Sequence, residues 1–263
     1  ARQKFYISRM RKRGWRNFKD FVIAFYFLRI FFLRRPDYVL LAAIDLATMP
    51  VLLSKIFRFK VALFVCGLDI MQKMSTWERA KKQRLLNNVD KIIVCSEFVK
   101  EAVLSYGINK DKVVVCLPGV DVEKFSVPDN SASLREELGL RDKIVLATVG
   151  RLIERKGQDM VIKSLPKVLK EVPNIVYLIV GTGNFRSKLE CISKDTEVAD
   201  KVIFTGFIPD EDIISYFRVA DIFIMPSRVI EDKGDVEGFG INLIEANMCK
   251  KPVIAGKSGG VVD

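Results

Sequence analysis

From residue 36 onward, short apolar runs rich in Val and Ile alternate with longer amphipathic segments, and this alternation most constrains how the chain can fold. The apolar runs indicate buried strands, whereas segments such as TWERAKKQRLLNN and QDMVIKSLPKVLKEV have helical spacing. Repeated strand–helix–strand order predicts an α/β architecture, with parallel sheets covered by helices on both faces. The predicted strands are Tyr38–Ala43, Lys60–Val65, Lys91–Cys95, Lys112–Cys116, Ile144–Val149, Ile175–Val180, Val202–Phe204, Ile222–Met225 and Pro252–Ala255.

A polar stretch containing VPDNSAS interrupts this alternation between residues 121 and 133. Because 263 residues are enough for two hydrophobic cores, we place a domain boundary at about residues 124–130. The first domain is predicted over residues 1–125 and the second over residues 126–263. Two doubly wound domains that meet across a cleft would hold a ligand at the carboxyl ends of their strands. Ser96 and Ser227 are predicted to lie near the starts of elements.

The chain has no histidine. This excludes Ser/His/Asp and Cys/His nucleophilic sites, HExxH zinc sites and imidazole proton shuttles. The five cysteines are widely spaced, without a CxxC pair, at positions 66, 95, 116, 191 and 249. They predict reduced thiols of a cytoplasmic chain, at least four of them buried as small hydrophobic side chains.

Positive charge is concentrated in the first quarter of the chain. Residues 1–60 carry 14 Lys and Arg against 3 Asp and Glu, and the remainder is balanced, so this quarter accounts for the net charge of +11. Within residues 1–35 the cations are interleaved with aromatic side chains. The longest apolar run, Phe21–Leu33, has 13 residues and contains Arg29. It is shorter than the roughly 20 residues that span a bilayer, and it lacks the cleavage site of a signal peptide.

Three interpretations of residues 1–35 are open: a buried helix with a basic rim, a helix lying on an anionic membrane, and a nucleic-acid contact. The density of phenylalanine favours the membrane over nucleic acid, because phosphate binding alone needs no such apolar surface. We therefore expect a cytoplasmic protein held peripherally at the inner face of a membrane, without a nucleic-acid partner.

Two cations lie where a predicted strand ends. KIVLATVG leads into RLIERKGQD, which puts Arg151 and Lys156 in the turn before a helix opened by Gly157. Two such cations could grip a diphosphate. Either one alone is equally compatible with ordinary solvated charge in a turn.

Two acids follow in GDVEGFGINLIEANM, where seven residues separate Glu237 from Glu245. Gly238 and Gly240 would let backbone amides approach an anion at a helix start. Glu237 would precede that helix and Glu245 would lie on its second turn, so that one carboxylate holds sugar hydroxyls and the other ribose hydroxyls. The alternative is an ordinary loop acid and a helix acid stabilised by the macrodipole.

Together, these segments resemble one known family. GRLIERKGQD, LIVGTGNFRSKLE, VIFTGFIPDEDIISYF, EGFGINLIEANM and the earlier VCSEFVKEAVLSYG are similar to glycosyltransferase family 4, whose members are retaining enzymes of the GT-B fold. The resemblance runs from about residue 36 to residue 263, and DVEGFGI after MPSR is similar to the bacterial phosphatidylinositol mannosyltransferase branch. It implies two Rossmann-like, doubly wound domains facing across a cleft, and transfer of a hexose from a nucleoside diphosphate sugar.

The resemblance also implies roles for matching residues. Arg151 and Lys156 would bind the donor diphosphate and stabilise the leaving nucleotide. Glu237 would contact the donor sugar and Glu245 the ribose. The implied catalytic residues are therefore Glu237, Arg151 and Lys156. The other implied donor-binding residues are Gly181, Gly183, Phe207, Ile208, Pro209, Gly238, Phe239, Gly240 and Ile241.

Enzymes of this family hold the diphosphate without a metal, so the resemblance implies neither metal nor cofactor. Asp210 and Asp212 spell D-x-D, but their position after Pro209 is typical of helix-start acids. In such enzymes the acceptor attacks from the face of the departing diphosphate, and the leaving phosphate helps to deprotonate it. Retention by that route requires no side-chain base.

The sequence departs from the family pattern at three points. The family has a histidine near the donor sugar in an HGxD-like segment, and here FVCGLDI puts Cys66 in that place, with Gly67 and Asp69 matching. Cys66 and Asp69 remain possible sugar contacts. No glycine-rich loop precedes the first strands, and the sequence stops at SGGVVD before the expected closing elements. We therefore expect a truncated member of the family, with both domains incomplete.

The basic aromatic start is the only clue to the acceptor, and it predicts a membrane lipid or a lipid-linked acceptor. The donor is open between GDP-mannose, which the narrower resemblance favours, and UDP-linked hexoses. The missing histidine and the missing ends support a rival hypothesis, a catalytically silent sugar-nucleotide-binding or membrane-scaffold protein of the same fold.

Overall fold

The structure is a computed structural model that describes Phe25, residues 27–29 and residues 31–263. The described strands form two parallel sheets, one on each side of the segment around residue 125. Most of the basic aromatic segment 1–35 lies outside the described residues, and so do residues 21–24, 26 and 30 of its longest apolar run.

The first sheet has four parallel strands in the order β1-β2-β3-β4. Its strands are β1 (Tyr38–Leu41), β2 (Lys60–Val65), β3 (Lys91–Val94) and β4 (Val113–Val115). The helices between them are α1 (Thr48–Phe57), α2 (Leu68–Met71), α3 (Thr76–Asn88) and α4 (Glu97–Leu104).

The second sheet has five parallel strands in the order β7-β6-β5-β8-β9, so its strand order reverses beside β5. Such a reversal opens a crevice at the carboxyl ends of the strands, where α/β proteins bind ligands. Its strands are β5 (Ile144–Val149), β6 (Ile175–Val180), β7 (Val202–Gly206), β8 (Ile222–Met225) and β9 (Val253–Ala255). Its helices are α5 (Ser131–Glu137), α6 (Gln158–Val168), α7 (Arg186–Asp195), α8 (Ile213–Val219) and α9 (Ile241–Met248).

Helices cover both faces of the second sheet. Successive residues of a strand point to opposite sides, so one strand contacts helices on both faces. Val145 and Ala147 of β5 pack in one cluster with Phe217 of α8. Leu146, between them, packs in another cluster with Ile162 of α6. The predicted doubly wound arrangement is confirmed for this sheet.

All nine predicted strands are present, with ends that differ by at most two residues from the predicted ones. The side chain of Ser96 accepts a hydrogen bond from the Val99 amide and caps α4, as predicted. The prediction for Ser227 is wrong, because this residue lies buried in the loop after β8 and begins no helix or strand. The polar stretch forms a 3₁₀ turn, Val122–Ser126, before α5 begins at Ser131.

The expectation that at least four cysteines are buried is wrong. Only Cys95 is buried, Cys249 is half-buried, and Cys66, Cys116 and Cys191 are exposed. β2, β3 and β4 each stop one residue before a cysteine, and of these three thiols only that of Cys95 is buried, where it donates to the Gly238 carbonyl oxygen. All five thiols are free.

The described part of the N-terminal segment packs against the first domain through aromatic side chains, of which Phe31 is buried. The ring of Phe31 is 5% exposed and lies 5.0 Å from the rings of both Phe57 and Phe59, centroid to centroid. Its neighbours Phe32 and Leu33 are 59% and 71% exposed. This short stretch therefore has one face in the core and another in solvent. Within the part of the chain that the structure describes, no helix is both long and apolar enough to cross a bilayer.

Candidate active site

The turn after β5 carries the two predicted cations to the carboxyl end of the second sheet. It continues into a 3₁₀ turn, Glu154–Lys156, which Gly157 ends in the left-handed conformation at φ 75° as α6 begins. A Cβ on Gly157 would lie 2.1 Å from the carbonyl oxygen of Pro226, so only glycine lets this turn approach the loop after β8. Lys156 is thereby held against the loop that carries the first predicted acid.

Lys156 and Arg155 share one carboxylate oxygen in the interior. Glu237 Oε2 is 2.7 Å from Lys156 Nζ and 2.7 Å from Arg155 Nη1. Arg155 Nε donates a further bond of 3.0 Å to Asp235 Oδ1. The exposed fractions of the Arg155, Lys156 and Glu237 side chains are 5%, 7% and 10%, so these charges are largely withdrawn from water. Two cations and two acids therefore balance in this cluster.

Lys156 also contacts two neutral groups. Its Nζ lies 3.3 Å from Asn242 Oδ1 and 3.3 Å from Met225 Sδ, and Asn242 Nδ2 donates to the carbonyl oxygen of Val149 at 2.9 Å. Burial holds the pKa of Lys156 below its usual range, although the Glu237 carboxylate opposes that shift. A lysine that is buried away from water is stabilised in its charged form by an anion, so this ammonium group is well suited to bind an anionic ligand.

The other predicted cation and the other predicted acid lie within electrostatic reach of Lys156. Arg151 is exposed, and its guanidinium helps to lower the pKa of Lys156. Glu245 is half-buried on the second turn of α9, where burial raises its pKa and the charges of Lys156 and Lys124 oppose the rise. Within the described residues, Glu245 forms no hydrogen bond or ion pair with Glu237 or Arg151.

The predicted nucleoside-side glycines lie directly against the turn that carries Arg151. A Cβ on Gly181 would be 2.1 Å from the carbonyl oxygen of Gly150, and one on Gly183 would be 2.1 Å from that of Leu152. The Gly181 amide donates to the Gly206 carbonyl oxygen at 2.9 Å, which places the following loop, residues 207–209, beside it. In that loop Phe207 is 75% exposed, whereas Ile208 and Pro209 are half-buried.

The glycine-rich loop before α9 touches the first domain. Gly240 begins α9 with a left-handed backbone at φ 91°, and Ile241, the first helical residue, is 37% exposed. Phe239 packs against the hydrophobic core of the first domain. A Cβ on Gly238 would lie 2.5 Å from the Cys66 carbonyl oxygen, so this loop and the end of β2 are in close backbone contact.

Two thiols and one acid of the first domain lie beside this contact. Cys66 and Cys95 follow neighbouring residues of β2 and β3, and their thiols form a hydrogen bond that raises the pKa of Cys66 and lowers that of Cys95. The Cys95 thiol also donates to the Gly238 carbonyl oxygen at 3.6 Å. Burial raises the pKa of Asp69, on α2, although Lys82 opposes that shift.

Two family models match the chain. The model described as Glycosyl transferases group 1 matches residues 130–263, and the model described as Glycosyltransferase Family 4 matches residues 5–124. The chain belongs to the group 1 glycosyl transferases. The resemblance inferred from the motifs is thereby confirmed at the level of the family.

Curated relatives of this group 1 glycosyl transferase include two mannosyltransferases. The chain is 34% identical over 220 residues to the GDP-mannose-dependent alpha-(1-6)-phosphatidylinositol monomannoside mannosyltransferase of Mycolicibacterium smegmatis, covering 83% of the chain and 58% of the relative. It is 35% identical over 223 residues to the GDP-mannose-dependent monoacylated alpha-(1-6)-phosphatidylinositol monomannoside mannosyltransferase of Corynebacterium glutamicum, with the same two coverages of 83% and 58%. The chain thus spans less than two thirds of the length of these relatives.

Solved structures of glycosyltransferases share the fold of this group 1 member. The Anabaena protein HepE, solved in complex with UDP, superposes with a TM-score of 0.79 at 22% identity, over 92% of this chain and 64% of that one. A glycosyltransferase from Rickettsia africae gives a TM-score of 0.77 at 23% identity, over 96% and 66%. The predicted GT-B architecture is confirmed by these likenesses.

Three residues that the sequence motifs did not single out join the cluster in the structure: Arg155, Asp235 and Asn242. Arg155 directly precedes Lys156, and Asp235 lies two residues before Glu237. The sequence features that could have indicated a charge cluster are the two acids of GDVEGFG and the second cation beside Lys156. Without knowledge of which loops meet, the signal was indistinguishable from exposed turn charges.

Proposed function

We propose that this chain is the core of a retaining glycosyltransferase that moves a hexose, mannose foremost, from a nucleoside diphosphate sugar to a lipid or lipid-linked acceptor. Two relatives that are named as GDP-mannose-dependent phosphatidylinositol monomannoside mannosyltransferases support this choice of donor and acceptor. A catalytically silent binding protein of the same fold is the second candidate, because Cys66 replaces the histidine of the family pattern.

The convergence of charges around Lys156 is the observation that carries the proposal. Lys156, Arg151 and the start of α9 lie together at the carboxyl end of the second sheet, beside the crevice opened by its strand reversal. Cations and helix amides there would neutralise the diphosphate, and hence the departing nucleotide, without a metal. Glu237 would accept hydrogen bonds from the sugar, and Glu245 from the ribose.

Donor binding is tested by thermal unfolding with GDP-mannose, UDP-glucose, GDP and UDP. A ligand at about 100 times its Kd stabilises the folded state by about 2.7 kcal/mol, which raises the Tm of a chain of this size by about 5–10 °C. We expect the largest rise with GDP-mannose and the same rise in the presence of EDTA. Lys156→Met should abolish it.

Lys163→Met is the matched control for that substitution. Lys163 lies on α6, close to Lys156 in sequence, but its side chain is 55% exposed and faces Asp159 at 3.9 Å. The variant removes one positive charge from the helix that follows the Lys156 turn, without touching the cluster, so the Tm rise should persist. Loss of the rise in both variants, or in neither, would count against a donor site at Lys156.

An exposed apolar face on the first domain supports the lipid-acceptor part of the proposal. We call it the membrane face: Phe32, Leu33, Leu52, Ile56 and Phe57, which are between 43% and 71% exposed. The rings of Phe32 and Phe57 lie 5.6 Å apart, which makes the segment before β1 continuous with α1. Exposed cations flank it at Arg34, Arg35, Lys55 and Arg58. Apolar side chains with a cationic rim suit the surface of an anionic bilayer.

Vesicle flotation tests the membrane face. The chain should float with vesicles containing anionic phospholipid and remain in solution with purely phosphatidylcholine vesicles. Ile56→Glu, at a residue 70% exposed, should abolish flotation, whereas Val122→Glu, at a residue 60% exposed outside the membrane face, should not. Equal recovery with neutral and anionic vesicles, or no binding at all, would refute this part of the proposal.

Turnover separates the enzyme from the silent alternative. Release of GDP from labelled GDP-mannose, with transfer of label to the lipid fraction of added membranes, supports the transferase. A stable Tm rise without release of nucleotide supports the silent protein. Retention is tested by the anomeric configuration of the product, which should match that of the donor.

A further inference from the structure

The cluster around Glu237 contains Arg155, a cation to which the predicted donor site assigns no role. Glu237 Oε2 lies 2.7 Å from both Lys156 Nζ and Arg155 Nη1. When Lys156 turns to a diphosphate, its bond to Glu237 weakens or is lost. A carboxylate that is 10% exposed cannot be left without a counter-ion at low cost, so another cation must remain with it.

Arg155 has the geometry to be that cation. Its guanidinium bridges two acids, with Nε on Asp235 at 3.0 Å and Nη1 on Glu237 at 2.7 Å. A guanidinium is planar and permanently charged, so its bond to Asp235 fixes the direction in which it donates to Glu237. The ammonium group of a lysine is a point charge and would not fix that direction. With 5% of its side chain exposed, Arg155 offers almost no surface to a ligand of its own.

The backbone around Arg155 is anchored to the loop that carries Glu237. The Arg155 carbonyl oxygen accepts a hydrogen bond of 2.9 Å from the Arg228 amide. The Arg228 guanidinium in turn holds both carboxylate oxygens of the buried Asp159, at 2.7 and 3.1 Å. Lys233 and Glu154 pair at 2.6 Å on the outer side of the same two segments. Arg155 is therefore fixed in place by groups that do not contact Lys156.

We propose that Arg155 is a positioning residue for the donor sugar: anchored on Asp235, it keeps the Glu237 carboxylate in place while Lys156 is released to the diphosphate. This inference rests on the proposed function, because it assigns Lys156 to the diphosphate and Glu237 to the sugar. Arg155 acts through Glu237 and need not touch the substrate.

The test compares the affinities for GDP-mannose and GDP, and for UDP-glucose and UDP, by isothermal titration calorimetry. The sugar nucleotide differs from its nucleotide by the group that Glu237 would hold. Hydrogen bonds to a charged group contribute enough that losing them lowers affinity at least about tenfold. In Arg155→Met the preference for the sugar nucleotide should therefore fall at least about tenfold, with a smaller effect on the nucleotide alone.

Two further variants keep the test informative if Arg155→Met folds poorly. Arg155→Lys retains the charge without the fork and should restore part of the preference. Asp235→Asn removes the anchor of Arg155 but leaves its charge, so it should lower the preference less than Arg155→Met does. Far-UV circular dichroism verifies the folding of each variant.

Arg141→Met is the matched control, because Arg141 is 71% exposed and its partner Glu136 is 67% exposed. It should leave the preference unchanged. If Arg155→Met and Asp235→Asn lower both affinities of a pair equally, or leave the preference as Arg141→Met does, Arg155 is a structural residue only and the inference is wrong. If the unsubstituted chain binds no sugar nucleotide, the proposed function is wrong and the inference falls with it.

Discussion

Glu237→Gln should destabilise the fold strongly although it changes almost no volume. The substitution removes the charge that lies 2.7 Å from both Arg155 Nη1 and Lys156 Nζ. Arg155 keeps its bond to Asp235, but Lys156 is left with the neutral Asn242 and Met225 as partners. One buried cation is therefore uncompensated.

Breaking a buried ion pair from one side costs about 3–5 kcal/mol. We expect about 3 kcal/mol, the lower end, because only one of the two cations loses its last charged partner. This is a large part of the roughly 5–15 kcal/mol by which domains are stable, yet it leaves the variant folded. With a urea dependence of about 3 kcal/mol per M, the unfolding midpoint should fall by about 1 M.

Urea unfolding followed by far-UV circular dichroism measures this effect, with Glu136→Gln as the matched control. Glu136 makes the same kind of contact, 2.7 Å to Arg141, but both side chains are more than two thirds exposed. Exposed pairs contribute about 0–1 kcal/mol, so the control midpoint should hardly move. Equal midpoints for the two variants would show that the cluster around Glu237 is hydrated in solution, and would refute the reasoning from burial.

Two more predictions concern the same turn. Burial lowers the pKa of Lys156 in the folded state below its usual 10.5. Between the folded-state and unfolded-state pKa values the unfolded chain binds more protons, so the free energy of unfolding should rise with pH in that window. The rise should be smaller in Lys156→Met. Urea unfolding of both proteins from pH 7 to 10.5 measures the difference, and parallel curves would contradict it. Gly157→Ala should cost more than about 2 kcal/mol, because a left-handed alanine costs about 1–2 kcal/mol before its Cβ meets a carbonyl oxygen 2.1 Å away. Gly119→Ala, where a Cβ meets nothing within 4 Å, is its control, and equal Tm values for the two would refute the packing argument.

The strands could be predicted from the sequence because burial on both faces makes them continuous apolar runs. Ile175–Val180 is buried at every position, and both of its ends were predicted correctly. The cysteine prediction failed at the ends of such runs. Cys66, Cys95 and Cys116 each lie one residue past a strand, yet only Cys95 is buried. Burial of such a thiol depends on which loop packs against the strand end, and the loop at Gly238 contacts the Cys95 thiol.

The donor-site prediction named residues that lie on separate loops, and the structure brings Lys156 and Glu237 into contact at 2.7 Å. Their roles toward a donor stay predictions. Arg155 and Asp235 were not predicted, because a cation adjacent to another cation and an acid two residues from another acid are typical of exposed turns. Their burial depends on how closely the turn after β5 approaches the loop after β8, a distance that neither segment encodes alone.

The sequence by itself determined the alternation of strands and helices, the two domains' order and the family, since these depend on local periodicity and on motifs read along the chain. Only the tertiary structure decided which charges are paired, which thiols are buried, and that two cations share one carboxylate oxygen. Coulomb energy and desolvation depend on distance and on access of water, and both are set by segments about 80 residues apart in the chain.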